Sequence, residues 1–340
     1  MTEENRGGGL PILQRDFDKM VNTEADIKFD RVRFKEAILQ LDSFDSSMQN
    51  IDSIMQTVGT IEDLDREIDN VSKLVRELLE SKGLNELLPE ELDGYFEHDA
   101  DAFRRSVVSM MEGIFLDDLD NHKQTGESLD LEELKRVWGN IKNSWESYRL
   151  VMEDLFLRGT HPSRVVVPER DRNENVSRLV GVLKWLVSGS DGGYHVTGKN
   201  YLEKGARFEL EGINEEELKN LKIEIPHGMI FNFLQNCVSN ATRSGIRAKE
   251  MSTMMLKIAK EGDNLVFSVS DNGVGLQGNE DKVLDPGFST KTETGKANGK
   301  GLAYADKRFE KVGGSVDVLS PDMEEDWSTT FKITVPIVKE

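Results

Sequence analysis

A heptad-like pattern of apolar residues near the amino terminus limits the possible folds of this chain more than any other feature. Apolar side chains recur at steps of three and four residues from Leu41 to Leu78, with a three-residue slip of the stammer kind near Gly59. Such spacing puts them on one helical face, which needs an apolar partner. The pattern predicts a dimeric coiled coil or long helical hairpin, or else two amphipathic helices of an ordinary bundle, because periodicity does not count partners.

A second pair of amphipathic helices is predicted between about Gly94 and Leu157. One arm carries an apolar stripe from Phe96 to Ile114, and the other carries a stripe from Leu134 to Leu155. The polar stretch 120–130 predicts the turn between them. Two such hairpins from two subunits would close a four-helix bundle, so we expect a homodimer.

The pattern changes from purely helical to mixed towards the carboxyl terminus. A short helix is predicted at 176–187. It is followed by predicted strands at 207–211, 254–258, 265–269, 315–319 and 330–335, and by helices at 229–247 and 301–312. Helices covering one face of a sheet give a two-layer α/β sandwich. The expected fold class is α plus α/β: a helical coiled coil and a dimerising helical hairpin, followed by this sandwich.

These patterns divide the chain into four predicted parts. They are a flexible tail at 1–12, a helical coiled-coil and signalling region at 13–90, a dimerising hairpin with its linker at 91–190, and the sandwich at 191–340. No known sensor domain is recognisable in the first 90 residues. The input signal is therefore expected to come from another protein.

Composition limits the compartment and the partners. A net charge of -20 over 340 residues disfavours non-specific binding to nucleic acid or to anionic membranes. The single cysteine, Cys237, excludes an internal disulfide and fits a reducing compartment. The start lacks the pattern of a signal peptide, and no apolar run approaches the roughly 20 residues that span a bilayer. We expect a soluble, cytoplasmic protein without membrane insertion.

A short motif at the end of a predicted strand indicates where the chemistry lies. The apolar run 265–269 leads into Asp271-Asn272-Gly273-Val274-Gly275, which taken alone is an ordinary turn sequence. Asn236 and Asn240 precede it, four residues apart and so on one helical face. Downstream follow Phe288, Gly299 and Gly301. Along the chain, two helical asparagines are thus followed by an aspartate with neighbouring glycines, and then by an aromatic residue and two further glycines. This ordered set indicates an ATP site.

Residues from about 200 to 340 resemble the Bergerat-type ATP-binding domain shared by sensor histidine kinases, type II topoisomerases, MutL and a class of heat-shock chaperones. The resemblance implies that Asn240 binds Mg²⁺, that Arg243 approaches the phosphates and that Asp271 accepts a hydrogen bond from the adenine amino group. It implies further nucleotide contacts by Asn236, Gly273, Gly275, Phe288, Lys291, Gly299, Lys300, Gly301, Leu302 and Thr329. Lys300 replaces the leucine that is usual between the two glycines of the family's second glycine box.

The glycine-rich loop is not a P-loop. Gly301 stands where that motif requires serine or threonine, and the spacing from Gly295 to Gly299 is one residue short. The loop instead resembles the second glycine box, in which backbone amides at a helix start receive phosphate oxygens.

Asn236 favours a kinase over a hydrolase. The hydrolysing branches of the family carry a glutamate at this position to activate water, whereas an amide is a poor general base. A kinase of this type needs a phosphate-accepting histidine on a helix. Among the five histidines, His98 faces away from the apolar stripe of its predicted helix, and Asp99 beside it is suited to take up a proton.

The sequence therefore predicts a histidine kinase that uses ATP and Mg²⁺ to phosphorylate His98. The resemblance implies transfer of the phosphoryl group to an aspartate of a response-regulator receiver domain, and residues 91–190 would be the dimerisation and phosphotransfer region. Two alternatives remain open: an ATP-hydrolysing chaperone or repair-type relative, and a non-enzymatic phosphorelay scaffold.

Overall fold

The computed structural model describes residues 31–81, 103–158, 176–188, 206–248, 253–276, 278–285, 302, 305–319 and 327–338. They belong to two compact units that divide near Leu157. The helix Ser177–Ser188 belongs to the second unit, because it packs against the first strand and the long helix of that unit.

The described part of the first unit consists of four helices. Helix α1 spans Arg31–Thr57, and α2 spans Ile61–Leu79. Helix α3 covers 103–125, with a π-helical stretch at Met111–Leu116, and α4 spans Leu131–Arg158.

Local capping sets the turns of this unit. Thr60 and Asp63 form a reciprocal capping box that starts α2 directly after Gly59. At the other turn Gly126 has a φ of 71° and its N–H donates to the carbonyl of His122 at 2.9 Å. A left-handed glycine of this kind ends a helix. Helix α3 therefore continues to Thr125, and the turn occupies less of the chain than the predicted 120–130.

The apolar seams of α1 and α2 are buried within this unit. Eleven side chains are at most 6% exposed: Leu41, Phe44, Met48, Ile51, Met55, Val58, Leu64, Ile68, Val71, Val75 and Leu78. Their partners include helices of the same chain, since Phe44 of α1 stacks on Trp145 of α4 with ring centroids 3.7 Å apart. Helices α1 and α2 therefore contact each other and pack against a helix of the same chain, and a dimeric coiled coil stays a prediction.

The second unit contains a five-stranded sheet among its described residues. The strands are β1 (Ala206–Glu211), β2 (Met254–Glu261), β3 (Asn264–Asp271), β4 (Ser315–Leu319) and β5 (Thr329–Pro336). Their order is β1-β2-β3-β5-β4, with β1 and β2 parallel and the other neighbours antiparallel. All five predicted strands are present, with ends within three residues of the prediction.

Helices accompany this sheet. They are α5 (Ser177–Ser188), α6 (Glu215–Asn220), α7 (His227–Ala248) and α8 (Ala305–Lys311). Phe233 of α7 meets Phe309 of α8 and Phe331 of β5 edge to face, at 5.8 and 6.3 Å between centroids. These contacts join the helical layer to the sheet, so the α plus α/β class is confirmed.

Helix α6 was missing from the prediction. Its start carries a capping box between Asn214 and Glu217, each side chain bonding the backbone N–H of the other residue. That pair was the available sequence signal, but six residues are too few for a recognisable apolar period.

Candidate nucleotide-binding site

Asp271 is the last residue of β3 and is only 5% exposed. Its burial raises the pKa of the carboxyl group, while a hydrogen bond from the Gly273 N–H to Oδ1, at 2.9 Å, acts in the opposite direction. A buried carboxylate that has lost its water is stabilised by a donor. Asp271 is therefore suited to accept a hydrogen bond from a ligand.

Thr329 lies beside Asp271 although it is distant in sequence. The two residues are paired in register across β3 and β5, and Thr329 is 4% exposed. The N–H of Ser328 also donates to the carbonyl of Asp271 at 2.8 Å. The structure thus brings together two of the predicted site residues.

The loop after Asp271 contains a glycine, Gly275, whose backbone conformation and close contact disfavour a side chain. Gly275 has a φ of 67°, and a Cβ atom there would lie 3.4 Å from the carbonyl oxygen of Ser328. A left-handed conformation of this kind favours glycine. The requirement for glycine at this predicted position has a structural reason that is independent of any ligand.

Asn272 fixes the same loop from the other side, a role that the sequence reasoning missed. Its Oδ1 accepts from the N–H of Thr253 at 2.6 Å, and its own N–H donates to the Thr253 carbonyl at 3.2 Å. This reciprocal pair ties the loop to the start of β2. Asparagine is common in turns because its side chain imitates a backbone acceptor, which was the only available signal.

The two predicted amides lie on α7, and both are half-buried. The Nδ2 of Asn236 donates to the carbonyl of Asn232 at 2.8 Å and faces its Oδ1 at 3.3 Å. The nitrogen of Asn236 is thereby held by its own helix, which leaves its carbonyl oxygen for other partners. Asn240 follows one turn later on the same face.

Helix α7 also runs beside the Asp271 end of β3. Burial raises the pKa of Cys237 well above its ordinary value, and the negative charge of Asp271 raises it further. Cys237 lies between the two asparagines in sequence and is buried. Its packing brings α7 near the carboxylate, while a protonated thiol there is an inert apolar residue.

Several predicted site residues lie outside the described part of the chain. They are His98, Asp99, Phe288, Lys291, Gly299, Lys300 and Gly301. Arg243 lies on α7 but its side chain is not described, and Leu302 is 9% exposed. Among the described residues no three or more histidine, cysteine, aspartate or glutamate side chains form a metal cluster. Asn240 stays a predicted protein ligand of Mg²⁺, a neutral oxygen of the kind that this ion accepts beside phosphate and water.

None of the helices in the described ranges has both the length and the apolar character needed to cross a bilayer.

Known proteins resemble the part of the chain that contains this site. The family model for the histidine kinase-, DNA gyrase B-, and HSP90-like ATPase matches residues 229–339. The sensor protein CitS of Halalkalibacterium halodurans is 30% identical over 109 residues, which are 32% of this chain and 19% of CitS. The sensor histidine kinase DpiB of Escherichia coli is 29% identical over 106 residues, 31% of this chain and 19% of DpiB.

Among solved structures, the catalytic domain of histidine kinase ThkA superposes with a TM-score of 0.33 and 16% identity, over 48% of this chain and 92% of that domain. The chain spans only about a fifth of the length of the curated relatives, since 19% of each is matched. The match to the family model begins within α7. Residues 229–339 thus match the histidine kinase-, DNA gyrase B-, and HSP90-like ATPase family, and the similar proteins CitS and DpiB are a sensor protein and a sensor histidine kinase.

Proposed function

We propose that this chain is an ATP-dependent protein histidine kinase that phosphorylates His98 and passes the phosphoryl group to an aspartate of a response-regulator receiver domain. The observation that carries the choice of a kinase over a hydrolase is the environment of Asn236. Its amide nitrogen donates to the carbonyl of Asn232 at 2.8 Å. A side chain anchored in this way, with no ionisable proton acceptor, does not activate water.

The buried end of β3 supports adenine binding. Asp271 would accept a hydrogen bond from the exocyclic amino group, and Thr329 lies directly across the sheet from it. The hydrogen bond from Gly273 holds Oδ1 of the carboxylate in one orientation before the ligand arrives. Preorganisation of this kind reduces the entropy lost on binding.

The side-chain amide oxygens of α7 are of the kind that binds Mg²⁺. Asn240 would supply one neutral oxygen, while the phosphates and water would complete the coordination of a hard cation. The ion would neutralise charge on the phosphates during transfer. Asn236, one turn earlier, has its carbonyl oxygen available to orient a water or phosphate contact.

His98 would act as the nucleophile. A ring nitrogen forms a bond to the γ-phosphorus as the bond from phosphorus to the bridging oxygen breaks, so that ADP leaves with the electron pair. The ring proton passes to Asp99. Transfer to a receiver aspartate then reverses the roles, with the carboxylate oxygen attacking phosphorus and the imidazole leaving.

Incubation of the full chain with γ-labelled ATP and Mg²⁺ tests this proposal. We expect an acid-labile, base-stable label on the protein. The label should disappear in His98→Gln and persist in the matched control His195→Gln, which removes a different histidine. Addition of a receiver domain should remove the label from the kinase.

Two other outcomes would favour the alternatives. Steady phosphate release without protein labelling would support a hydrolase related to the chaperone or repair branches. Tight nucleotide binding with neither label nor phosphate release would support a phosphorelay scaffold. A label that survives in His98→Gln would move the acceptor to another residue.

A further inference from the structure

We infer that His122 is a proton-sensitive clasp between α2 and the turn that joins α3 to α4, so that a rise in pH loosens the contact of the α1–α2 hairpin with the α3–α4 hairpin. The imidazole ring of His122 bridges two oxygen atoms that belong to these two parts of the helical unit. The inference rests on the proposed function only where it is extended to kinase activity.

Both ring nitrogens of His122 face an oxygen atom. Nδ1 lies 2.5 Å from the carbonyl oxygen of Glu127, and Nε2 lies 2.9 Å from Oδ1 of Asp65. A carbonyl oxygen and an ionised carboxylate only accept hydrogen bonds, whereas a neutral imidazole donates from one nitrogen alone. The doubly protonated ring satisfies both contacts. Loss of one proton therefore sets a lone pair of the ring against one of the two oxygens.

The turn holds the Glu127 carbonyl in place independently of the ring. The Nδ2 of Asn121 donates to Oε2 of Glu127 at 2.9 Å, and the N–H of Glu127 donates to Oγ1 of Thr125 at 3.1 Å. The N–H of Gly126 donates to the carbonyl of His122 at 2.9 Å. Because the backbone is fixed on both sides of the contact, a change in the charge of the ring acts on the bond to α2.

The charges around the ring favour its protonated form. Those of the adjoining parts of α2, α3 and the turn are Asp65, Asp69, Asp118, Lys123, Glu127 and Asp130. Carboxylates outnumber the single ammonium group in this set, and nearby negative charge stabilises a cation. The Glu127 carbonyl and the Asp65 carboxylate raise the pKa of His122, while burial of the ring opposes them. The contact therefore contributes fully below the ordinary histidine value of about 6.5, and its contribution is lost as pH rises through the folded pKa.

Other ion pairs between the two hairpins are made by arginine and lysine. Arg149 of α4, whose side chain is 3% exposed, pairs with Asp42 of α1 at 3.3 Å, and Arg76 of α2 pairs with Asp120 of α3 at 2.5 Å. These residue types do not ordinarily change charge between pH 6 and 8. His122 is the one histidine that the structure describes in the helical unit, and histidine is the side chain whose ordinary titration falls in this range.

The clasp joins the two helices between which the proposed acceptor lies in the chain. Helix α2 ends at Leu79, His98 follows, and the described part of α3 begins at 103. A looser contact of α2 with the α3–α4 hairpin therefore changes the restraint on both flanks of the segment that carries His98. Because Asp65 is 54% exposed, the expected bias is graded, about two- to fivefold in an equilibrium constant.

Titration of the ring and amide exchange of α2 in the full chain test the clasp directly. The imidazole resonances of His122, assigned by their absence in His122→Gln, should titrate with a midpoint above pH 6.5. The opening constant of the α2 amides, corrected for the intrinsic effect of pH on exchange, should rise about two- to fivefold between pH 6 and 8. A constant opening over this range, or a midpoint below the ordinary histidine value, would overturn the inference.

Three variants connect the two measurements to the same contact. Asp65→Asn keeps an acceptor for Nε2 but removes its charge, so the His122 midpoint should move to lower pH. His122→Gln should abolish the pH dependence of α2 exchange. The matched control Lys123→Gln removes the neighbouring ion pair with Asp69 and should raise exchange by the same factor at both pH values. A pH dependence that survives in His122→Gln, or an unmoved midpoint in Asp65→Asn, would contradict the clasp.

Kinase activity supplies a separate readout. The ratio of the labelling rates at pH 8 and pH 6 with γ-labelled ATP should differ about two- to fivefold between the unaltered chain and His122→Gln, whereas Lys123→Gln should keep the ratio of the unaltered chain. Equal ratios in all three chains would refute the extension to regulation. If the unaltered protein takes up no label, the kinase proposal fails, while ring titration and amide exchange still decide whether the clasp exists.

Discussion

Replacement of Asp271 by asparagine should separate nucleotide binding from stability. The carboxylate is 5% exposed at the end of β3, and its burial raises its pKa. Asparagine keeps the shape and one acceptor oxygen for the Gly273 N–H but removes the charge. A hydrogen bond to a charged group contributes about 1.5–3 kcal/mol. We expect ATP to bind about 10- to 150-fold more weakly to Asp271→Asn, as that energy implies.

Whereas Asp271→Asn should weaken ATP binding, it should increase the stability of the ligand-free domain at high pH relative to the unaltered protein. A carboxyl whose pKa is higher in the folded state than in the unfolded state stabilises the fold at acid pH, and that contribution is lost as pH rises through the folded pKa. The window opens above the ordinary aspartate value of about 3.9. The Asp271→Asn domain has no such loss. Its stability relative to the unaltered protein should therefore be greater at pH 8 than at pH 4.

Calorimetric titration with ATP and Mg²⁺ measures the affinity, and amide hydrogen exchange in β3 and β5 measures the local free energy of opening. Asp317→Asn is the matched control, since it makes the same chemical change at an exposed position of β4. An unchanged affinity would refute the role of Asp271 in binding. A domain destabilised equally at pH 4 and pH 8 would refute the electrostatic reasoning.

Three further perturbations follow from the packing. Gly314→Ala should destabilise the second unit by about 1–3 kcal/mol in urea unfolding, because the added Cβ would lie 2.9 Å from the backbone oxygen of Thr334. His122 has its pKa raised by the Glu127 carbonyl and by Asp65, so its stabilising effect should be complete below about pH 6.5 and decline as pH rises through the folded pKa. The melting temperature of the first unit should therefore decline more between pH 6 and 8 than that of His122→Gln. Arg149→Ala should cost the first unit about 3–5 kcal/mol by tryptophan-monitored unfolding, as expected for a broken buried ion pair.

The controls for these three predictions, and the outcomes that would contradict them, are as sharp as the variants themselves. Gly262→Ala adds a Cβ into open space at a φ of 62°, so it isolates backbone strain from the contact that Gly314→Ala creates. Parallel melting curves for His122→Gln and the unaltered chain across pH would exclude the histidine as the titrating group. Arg136→Ala removes an arginine from an exposed pair on α4, and an equal loss from Arg149→Ala would mean that burial of the Arg149 pairs contributes nothing.

Much of the nucleotide domain was predictable because its signals are local. Strand β4 was predicted with its observed ends, and β3 ends at the aspartate that the motif singled out. The strand pairing of Asp271 with Thr329 was not predicted, since no local pattern joins residues so far apart in sequence, and the family resemblance implied only that both contact the nucleotide. The reciprocal bonds of Asn272 with Thr253 had no signal beyond turn propensity.

In the helical unit, the sequence predicted the helices but not which helices pack together. The spacing of apolar residues from Leu41 to Leu78 determined two helices and the face that each buries, because a period of 3.6 residues is a property of the local chain. The pairing of α1 with α4 and the burial of Arg149 depend on residues of a distant segment, and only the tertiary structure decided them. Asp271 likewise depends on both levels. Its position at the end of a strand was predicted from the local sequence pattern, whereas its raised pKa is caused by neighbouring residues that exclude water in the folded protein.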